Sequence, residues 1–155
     1  MGSKQYLTAF INNTTTIRDV VAADITDAPH KAVAYDSDGK LILPATDGDP
    51  AIGVILSDAA AFDTGSALVT KAGMEVNVLI KNIGLIEAGE SVAKGDLLTA
   101  GATGCAKKAV AGNFILGVAM TAAASAGELV QIHITKSGYA AAASGGGAEK
   151  SPAGE

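Results

Sequence analysis

The chain lacks tryptophan and has few other aromatic residues, with three tyrosines and three phenylalanines among 155 residues. Any core must therefore be built from alanine, valine, isoleucine and leucine. The chain is long enough to have one, because a domain of about 150 residues hides roughly 70% of the surface of its unfolded form. Only 17% of the residues are charged. A low charge content is common where much of a surface meets a partner.

Three further absences exclude whole classes of function. A single cysteine, Cys105, cannot form an internal disulfide, so we expect the chain to fold in a reducing cytoplasm. No run of about 18 apolar residues is present, and the first residues lack the apolar segment of a signal peptide, so we expect no membrane partner. A net charge of −5 with scattered lysines provides no basic surface, so we expect no nucleic-acid partner.

Two similar apolar runs, each containing a glycine, organise the sequence. Ala51–Leu56 contains Gly53 and Ile115–Met120 contains Gly117, and an offset near 64 residues recurs elsewhere in the chain. A glycine inside a strand permits a bulge or the close approach of another backbone. The sequence therefore predicts two copies of one β-rich unit, each with its glycine-bearing strand.

Other stretches of the two copies also match. Lys94–Thr99 matches His30–Tyr35, and Gly101–Cys105 replaces the turn Asp36–Gly39, in which we expect aspartate to cap the turn and glycine to take positive φ. Leu85–Val92 matches Val20–Ile25 in pattern. One departure is that Ala23-Asp24 stands where the second copy has Ala88-Gly89.

Turn residues every eight to twelve positions, and no twelve-residue window with an uninterrupted helical stripe, indicate an all-β fold. We predict a small barrel or β-tulip-like body built from two similar β-rich halves. The predicted segments are an N-terminal arm at 1–17, a first β half at 18–82, a second β half at 83–137 and a low-complexity tail at 138–155. The tail is expected to be flexible, because it has little apolar surface to offset an ordering cost of about 1–2 kcal/mol per residue.

Metal ligands are scarce. His30 and His133 are the only histidines, and neither lies near Cys105 in sequence, whereas zinc needs about four such ligands. On its alternating strand, His133 is expected to face solvent or a subunit interface. The spacing of Asp36-Ser37-Asp38-Gly39 could suit calcium, but the fifth position of such a loop would be a lysine, and a turn is the better interpretation.

Catalytic groups are equally scarce. Lys107 and Lys108 follow Cys105 and would favour a reactive thiol, but no histidine stands near in sequence, so an incidental cysteine is the preferred interpretation. No set of acid, base and nucleophile converges in the pattern. We therefore expect no enzymatic activity, no cofactor and no metal.

An apolar segment precedes the first copy and contains Tyr6, Leu7, Phe10 and Ile11. One interpretation is a first strand packed on the body. The other is an extended arm that adds to the sheet of a neighbouring subunit or lies in its groove. The sequence leaves both open.

Several of these motifs resemble those of tailed-phage capsid decoration proteins, the cement or head-fibre-like proteins. The resemblance lies in Gly84-Leu85-x-x-Ala88-Gly89-x-x-Val92-x-x-Gly95-Asp96-Leu97-Leu98, in Ile115-Leu116-Gly117-Val118-Ala119, and in Gly127-Glu128-Leu129-Val130-Gln131-Ile132. It covers roughly residues 18–137. The motifs concern turns and packing, so they imply a fold and an assembly and say nothing of catalysis.

The resemblance implies a β-barrel or β-tulip body outside an icosahedral shell, often as trimers at three-fold or quasi-three-fold positions. It also implies that the protein joins after the shell expands, and that an N-terminal segment reaches onto the capsid or a neighbouring subunit. Tyr6, Leu7, Phe10 and Ile11 are the residues we expect at that interface. The implied partners are the major capsid protein and, in a homotrimer, the chain itself.

The resemblance thus implies a capsid decoration protein that binds the outer surface of a phage head and stabilises the shell by clamping neighbouring capsid subunits. Its expected location is the outer capsid surface of the virion, after synthesis in the host cytoplasm. The alternative is a ligand-binding module displayed on the virion for a host glycan or protein. The absence of tryptophan, which often forms the platform for sugars, counts against this alternative.

Overall fold

The computed structural model describes residues 14–56 and 68–142, and this part of the chain contains twelve β-strands and no helix. The strands are β1 Thr16–Val20, β2 Ile25–Thr26, β3 Ala32–Tyr35, β4 Leu41–Ile42, β5 Gly53–Ile55, β6 Val69–Thr70, β7 Glu75–Leu79, β8 Asn82–Glu87, β9 Leu97–Ala100, β10 Ala106–Lys108, β11 Phe114–Ala119 and β12 Leu129–Tyr139. The predicted all-β class is confirmed. Among the described residues, no helix could span a membrane.

Two five-stranded antiparallel sheets form the body. The first has the order β1-β7-β5-β3-β4, and the second has the order β8-β12-β11-β9-β10. Read in this direction, the second sheet repeats the first strand for strand. A short ladder of β2 with β6 accompanies the first sheet, and a single bridge between Val92 and Ala123 takes its place beside the second. The predicted body of two similar β-rich halves is confirmed.

The repetition extends to single hydrogen bonds. The N–H of Gly73 donates to the carbonyl of Val21 at 2.9 Å, and the N–H of Gly127 donates to the carbonyl of Ala88 at 2.8 Å. The two glycines have φ of 84° and 88°, in the left-handed region. Equivalent residues therefore hold equivalent conformations in the two halves.

The predicted turn match is confirmed as well. Within the first turn the N–H of Asp36 donates to the carbonyl of Lys40 at 2.9 Å, and within the second the N–H of Gly101 donates to the carbonyl of Cys105 at 2.8 Å. The carboxylate of Asp36 also accepts from the N–H groups of Asp38 and Lys40. These contacts are those of a capped turn.

The two glycine-bearing strands make the same close approach. A Cβ on Gly53 would lie 2.9 Å from the carbonyl carbon of Leu79, and a Cβ on Gly117 would lie 2.9 Å from the carbonyl carbon of His133, with the oxygens closer still. The register of the second ladder also shifts between Ile115 and Gly117. The prediction of a bulge or close backbone approach at these glycines is confirmed.

Two predicted matches are wrong. Ala32 and Leu97 make equivalent pairs with Val54 and Val118, so the match of His30–Tyr35 with Lys94–Thr99 is wrong by one residue.

The match of Ala23-Asp24 with Ala88-Gly89 is wrong by two. The N–H of Ala22 donates to the carbonyl of Leu41, and the N–H of Gly89 makes the same bond to Ala106, both at 2.8 Å. Ala22, rather than Asp24, therefore corresponds to Gly89. The apolar pattern misplaced the match because the first copy has the polar pair Arg18-Asp19 where the second has leucine and isoleucine.

Each half has its own core, and the two cores consist of equivalent residues. The first core contains Val21, Ile25, Ala28, Val33, Leu41, Ile55, Val76 and Val78. The second contains their counterparts, including Ala88, Val92, Leu98, Ala106, Ala119, Val130 and Ile132. Aliphatic residues and alanine fill both, as the scarcity of aromatic residues requires.

The sheets do not close into a barrel, so that part of the prediction is wrong. Val21, directly after β1, forms one parallel bridge with Leu41 of β4, and Ala88, directly after β8, forms one with Ala106 of β10. Each sheet therefore curls until its edge strands meet at a single point. With two and three residues, β4 and β10 are too short to pair along a whole neighbouring strand.

The predicted segment limits fall inside regular structure or outside the described residues. β1 begins at Thr16, one residue before the predicted end of the arm at 17, and β12 continues to Tyr139, beyond the predicted start of the tail at 138. Residues 1–13 of the arm, which include Tyr6, Leu7, Phe10 and Ile11, and residues 143–155 of the tail lie outside the described residues. The segment limits and these interface residues stay predictions.

Candidate functional site

Each half carries a row of four side chains that crosses its sheet. The first row consists of Thr16, Leu79, Val54 and Ala32, which are paired across β1, β7, β5 and β3. The second row consists of Ile83, His133, Val118 and Leu97, which are paired across β8, β12, β11 and β9. Directly opposed residues point to the same face of a sheet, so each row is one continuous strip.

The two rows have opposite environments. Ala32, Val54 and Leu79 are at most 7% exposed and belong to the core of the second half. In the second row, Leu97 is 45% exposed and Ile83 is 54% exposed. The first row therefore forms the contact between the halves, whereas its counterpart faces solvent.

The second row lies within a larger exposed apolar surface, which we call the outer face. Leu85 and Leu129 extend it along β8 and β12, and Met120 follows Val118 at the end of β11. These three side chains are between 36% and 47% exposed. Their clustering makes the outer face a candidate interaction surface, because contiguous exposed apolar patches on monomeric proteins are commonly functional.

A buried polar cluster connects the halves beside this contact. Lys31 Nζ forms an ion pair with Glu87 Oε2 at 2.9 Å and donates to Cys105 Sγ at 3.0 Å, and the thiol of Cys105 donates to Glu87 Oε1 at 3.4 Å. The N–H of Glu87 also donates to the carbonyl of His30 at 3.0 Å. One lysine of the first half thus holds two side chains of the second.

Desolvation and pairing oppose each other at this cluster. Burial favours the neutral amine of Lys31, but the hydrogen bonds that Lys31 donates to Glu87 and Cys105 outweigh it and raise the pKa of Lys31. Burial likewise favours the neutral acid of Glu87, but the hydrogen bond from Lys31 outweighs it and lowers the pKa of Glu87. Both groups are held in their charged forms, so neither is poised to exchange a proton near neutral pH.

A second polar contact between the halves is exposed. The carboxylate of Asp47 accepts from Lys107 Nζ at 2.5 Å and from the N–H of Ala102 at 2.8 Å, and these bonds lower the pKa of Asp47. Next to it, the N–H of Gly48 donates to the carbonyl of Ala100, and Phe114 donates to the carbonyl of Gly48. The first-half loop is thereby bound to both β9 and β11.

A cavity of about 360 Å³ lies beside this loop. It is lined by Asp47, Glu90, Thr99, Lys107, Lys108, Val110 and Asn113. The lining carries charges of both signs. Two of them, on Asp47 and Lys107, are already paired with each other. Thr99 Oγ1 is buried and has no hydrogen-bond partner within the described part of the chain.

The residues weighed from the sequence are dispersed. His133 is exposed on the outer face, as predicted, while His30 lies in the β2–β3 connection with φ of 66°, at the place that Gly95 occupies in the second half. Within residues 14–56 and 68–142, no three histidine, cysteine, aspartate or glutamate side chains come close enough to hold a metal. No local signal in the sequence indicated Lys31, which is 74 positions from Cys105.

No sequence profile of a protein family matches the chain. A comparison with curated protein sequences also found no match. Among solved structures, the chain is similar to the crystal structure of the head fiber gp8.5 N base in bacteriophage phi29, with a TM-score of 0.56. The alignment covers 81% of this chain and 97% of that chain, at 19% identity. The two chains share a fold.

Proposed function

We propose that the protein is a structural component of a phage head that binds the outer surface of the shell. The observation that carries this proposal is the shared fold with a phage head fiber base over most of both chains. The sequence motifs that resemble capsid decoration proteins support it independently. The outer face offers a surface suited to a macromolecular partner rather than to a small substrate.

In finer terms, the protein clamps neighbouring subunits of the major capsid protein and so stabilises the expanded shell. Several weak contacts per assembly would act together to give high overall affinity. A homotrimer at three-fold or quasi-three-fold positions is part of the proposal. No catalytic activity is assigned, in keeping with a Lys31–Glu87–Cys105 cluster whose charged groups are already paired.

The test is to mix purified protein with expanded empty heads of the encoding phage, image the particles and record their melting temperature. We expect added density on the outer surface and a higher melting temperature of the shell. Undecorated particles with an unchanged melting temperature would overturn the proposal.

The arm has its own test. Deleting residues 1–13 leaves β1 intact, since that strand begins at Thr16. We expect the shortened chain to keep its fold and to bind heads more weakly. A chain lacking 143–155 removes the same number of residues from the other end and is the matched control. Equal binding by both shortened chains would show that the arm has no special role.

One observation favours the second candidate, a displayed ligand-binding module. The ring of Tyr139 is 63% exposed and packs edge-on against Phe114, with ring centroids 5.7 Å apart. The exposed ring of Tyr139, supported by the partly buried Phe114, offers a surface on which a sugar ring can stack. Binding of decorated particles to a glycan array, lost on Tyr139→Ala, would favour this candidate over a purely structural one.

A further inference from the structure

The contact between the halves is made by two different surfaces. The first row, on the first half, contacts a site on the second half. We call this site the docking site. The docking site consists of Gly84, Leu116 and Ile134. A Cβ on Gly84 would overlap the side chain of Leu79, and Leu116 and Ile134 share one core cluster with the first row. A contact of unlike surfaces is head-to-tail.

Because the halves are equivalent, each of these two surfaces has a counterpart on the other half. The counterpart of the first row is the second row, on the exposed outer face. The counterparts of the docking site in the first half are Ile17, Ile52 and Ile80, which we call the open site. The register fixes this correspondence, because Ile17 pairs with Val78 as Gly84 pairs with Ile132. The open-site residues are only partly buried, at the edge of the first core.

In repeat proteins, each unit covers a surface of its neighbour, and the first and last units each keep one such surface uncovered. The open site and the outer face are the two uncovered surfaces of this two-unit chain, and they are complementary for that reason. The chemistry fits, since the open site is made of isoleucine and none of the seven residues named on the outer face is lysine, arginine, aspartate or glutamate. Glu87, opposite Leu129, borders the outer face and is already paired with Lys31. Compared with the first row, the second also has larger apolar side chains at two positions, with Ile83 for Thr16 and Leu97 for Ala32. A surface with no role in binding would gain nothing from this enlargement in contact with water.

We propose that a second copy of this chain docks its open site on the outer face, repeating between chains the head-to-tail contact already present within one chain. When such contacts close into a ring, every chain uses both surfaces and none stays exposed. This inference rests on the self-association in the proposed function and names the surfaces responsible for it.

The first test is the molar mass of the full-length protein in solution, by light scattering over a concentration series without any phage heads. We expect an oligomer for the natural chain and at least about tenfold weaker association for Ile83→Lys and for Leu97→Lys, as for truncation of a central interface residue. Val110→Lys is the matched control, since Val110 is 63% exposed and lies outside the outer face. A monomeric natural chain, or association unaffected by the outer-face lysines, would overturn the inference.

The second test distinguishes head-to-tail docking from other arrangements and does not depend on lysine variants folding. Leu79 meets Gly84 within one chain, and their counterparts are His133 and Ile17. Chains carrying His133→Cys and chains carrying Ile17→Cys are therefore oxidised mildly, separately and as a mixture. We expect a disulfide-linked pair only in the mixture. A covalent dimer of His133→Cys alone would mean that two outer faces meet, and no linked pair in the mixture would mean that another partner, such as residues 1–13 or the capsid, covers the face. Either result would overturn the inference.

Failure of this inference and failure of the proposed function give different results. A monomer that still decorates phage heads would leave the shell-binding role standing and remove only the docking mode. An oligomer with the expected cross-link that leaves heads undecorated would do the reverse.

Discussion

The two halves of the protein have the same strand order, equivalent hydrogen bonds and equivalent cores, but they differ in what covers one strip of side chains. In the first half Val54, at 1% exposure, and its neighbours pack on the second half. In the second half the corresponding strip is exposed, with Ile83 at 54%. Duplication of one β unit therefore produced one internal contact and one unused copy of the surface that makes it. The difference favours an interface, rather than a cavity, as the candidate functional site.

The largest loss of stability is expected from substitutions at the two equivalent glycines, Gly53 and Gly117. Gly53→Ala and Gly117→Ala each place a methyl group against a backbone carbonyl, which cannot move without breaking a sheet ladder. We expect both variants to lose about 3 kcal/mol or more of unfolding free energy, at the upper end for overpacking. Urea denaturation measures the loss, with Val110→Ala as an exposed control.

Equal losses at the two glycines would support structural equivalence of the halves. A loss at one position and near neutrality at the other would mean that one of the two close approaches does not exist, and the equivalence would fail there.

The second test compares the two polar contacts between the halves. Lys31→Met leaves the carboxylate of Glu87 partly buried without its cation, and we expect a loss of about 2–3 kcal/mol. Lys107→Met removes the exposed pair with Asp47, and we expect less than about 1 kcal/mol. Urea denaturation of both variants measures the difference. Equal losses would show that burial does not distinguish these pairs.

The pH dependence of the same pair is the third test. Because the folded pKa of Glu87 is lowered from 4.5, its contribution is complete above about that pH and is lost as the pH falls through the folded value. Because the folded pKa of Lys31 is raised from 10.5, its contribution is complete below about that pH and is lost as the pH rises through the folded value.

The stability difference between the natural chain and Lys31→Met should therefore be flat from about pH 5 to pH 10 and shrink outside that range. Urea denaturation across pH 3–11 measures it, with Lys107→Met as the control variant. A difference that changed steadily between pH 6 and pH 8 would contradict the assignment of permanent charges to this pair.

Local signals in the sequence were sufficient for the fold class and for the repeat. Gly53 and Gly117 stood out because a glycine inside an apolar strand needs a steric reason, and the turn at Asp36–Gly39 carried its own capping residue. These features depend on residues a few positions apart. The open form of the sheets was missed, because closure depends on how two short edge strands meet in space, which no local pattern records.

The candidate surfaces were mostly out of reach from sequence for the same reason. Ile83 and Leu97 look like ordinary strand residues, and only pairing across four strands shows that they form one exposed strip. Lys31 lies far along the chain from both of its partners, Glu87 and Cys105. His133 was the exception, since the alternation around it indicated an exposed position on its strand.

The smallest expected effect concerns a buried hydroxyl that only one half has. Thr99 is 1% exposed and its Oγ1 has no partner within the described residues, whereas the equivalent position in the first half is Ala34. Thr99→Val keeps the shape and removes a polar atom that lacks a protein hydrogen bond, so we expect it to be neutral or to stabilise by up to about 1 kcal/mol. Ala34→Val, which adds volume at the equivalent place, is the matched comparison in urea denaturation. A loss of more than about 1 kcal/mol on Thr99→Val alone would show that the hydroxyl is bonded to an ordered water in the adjoining cavity. The second half would then differ from the first in a hydrated site as well as in its exposed outer face.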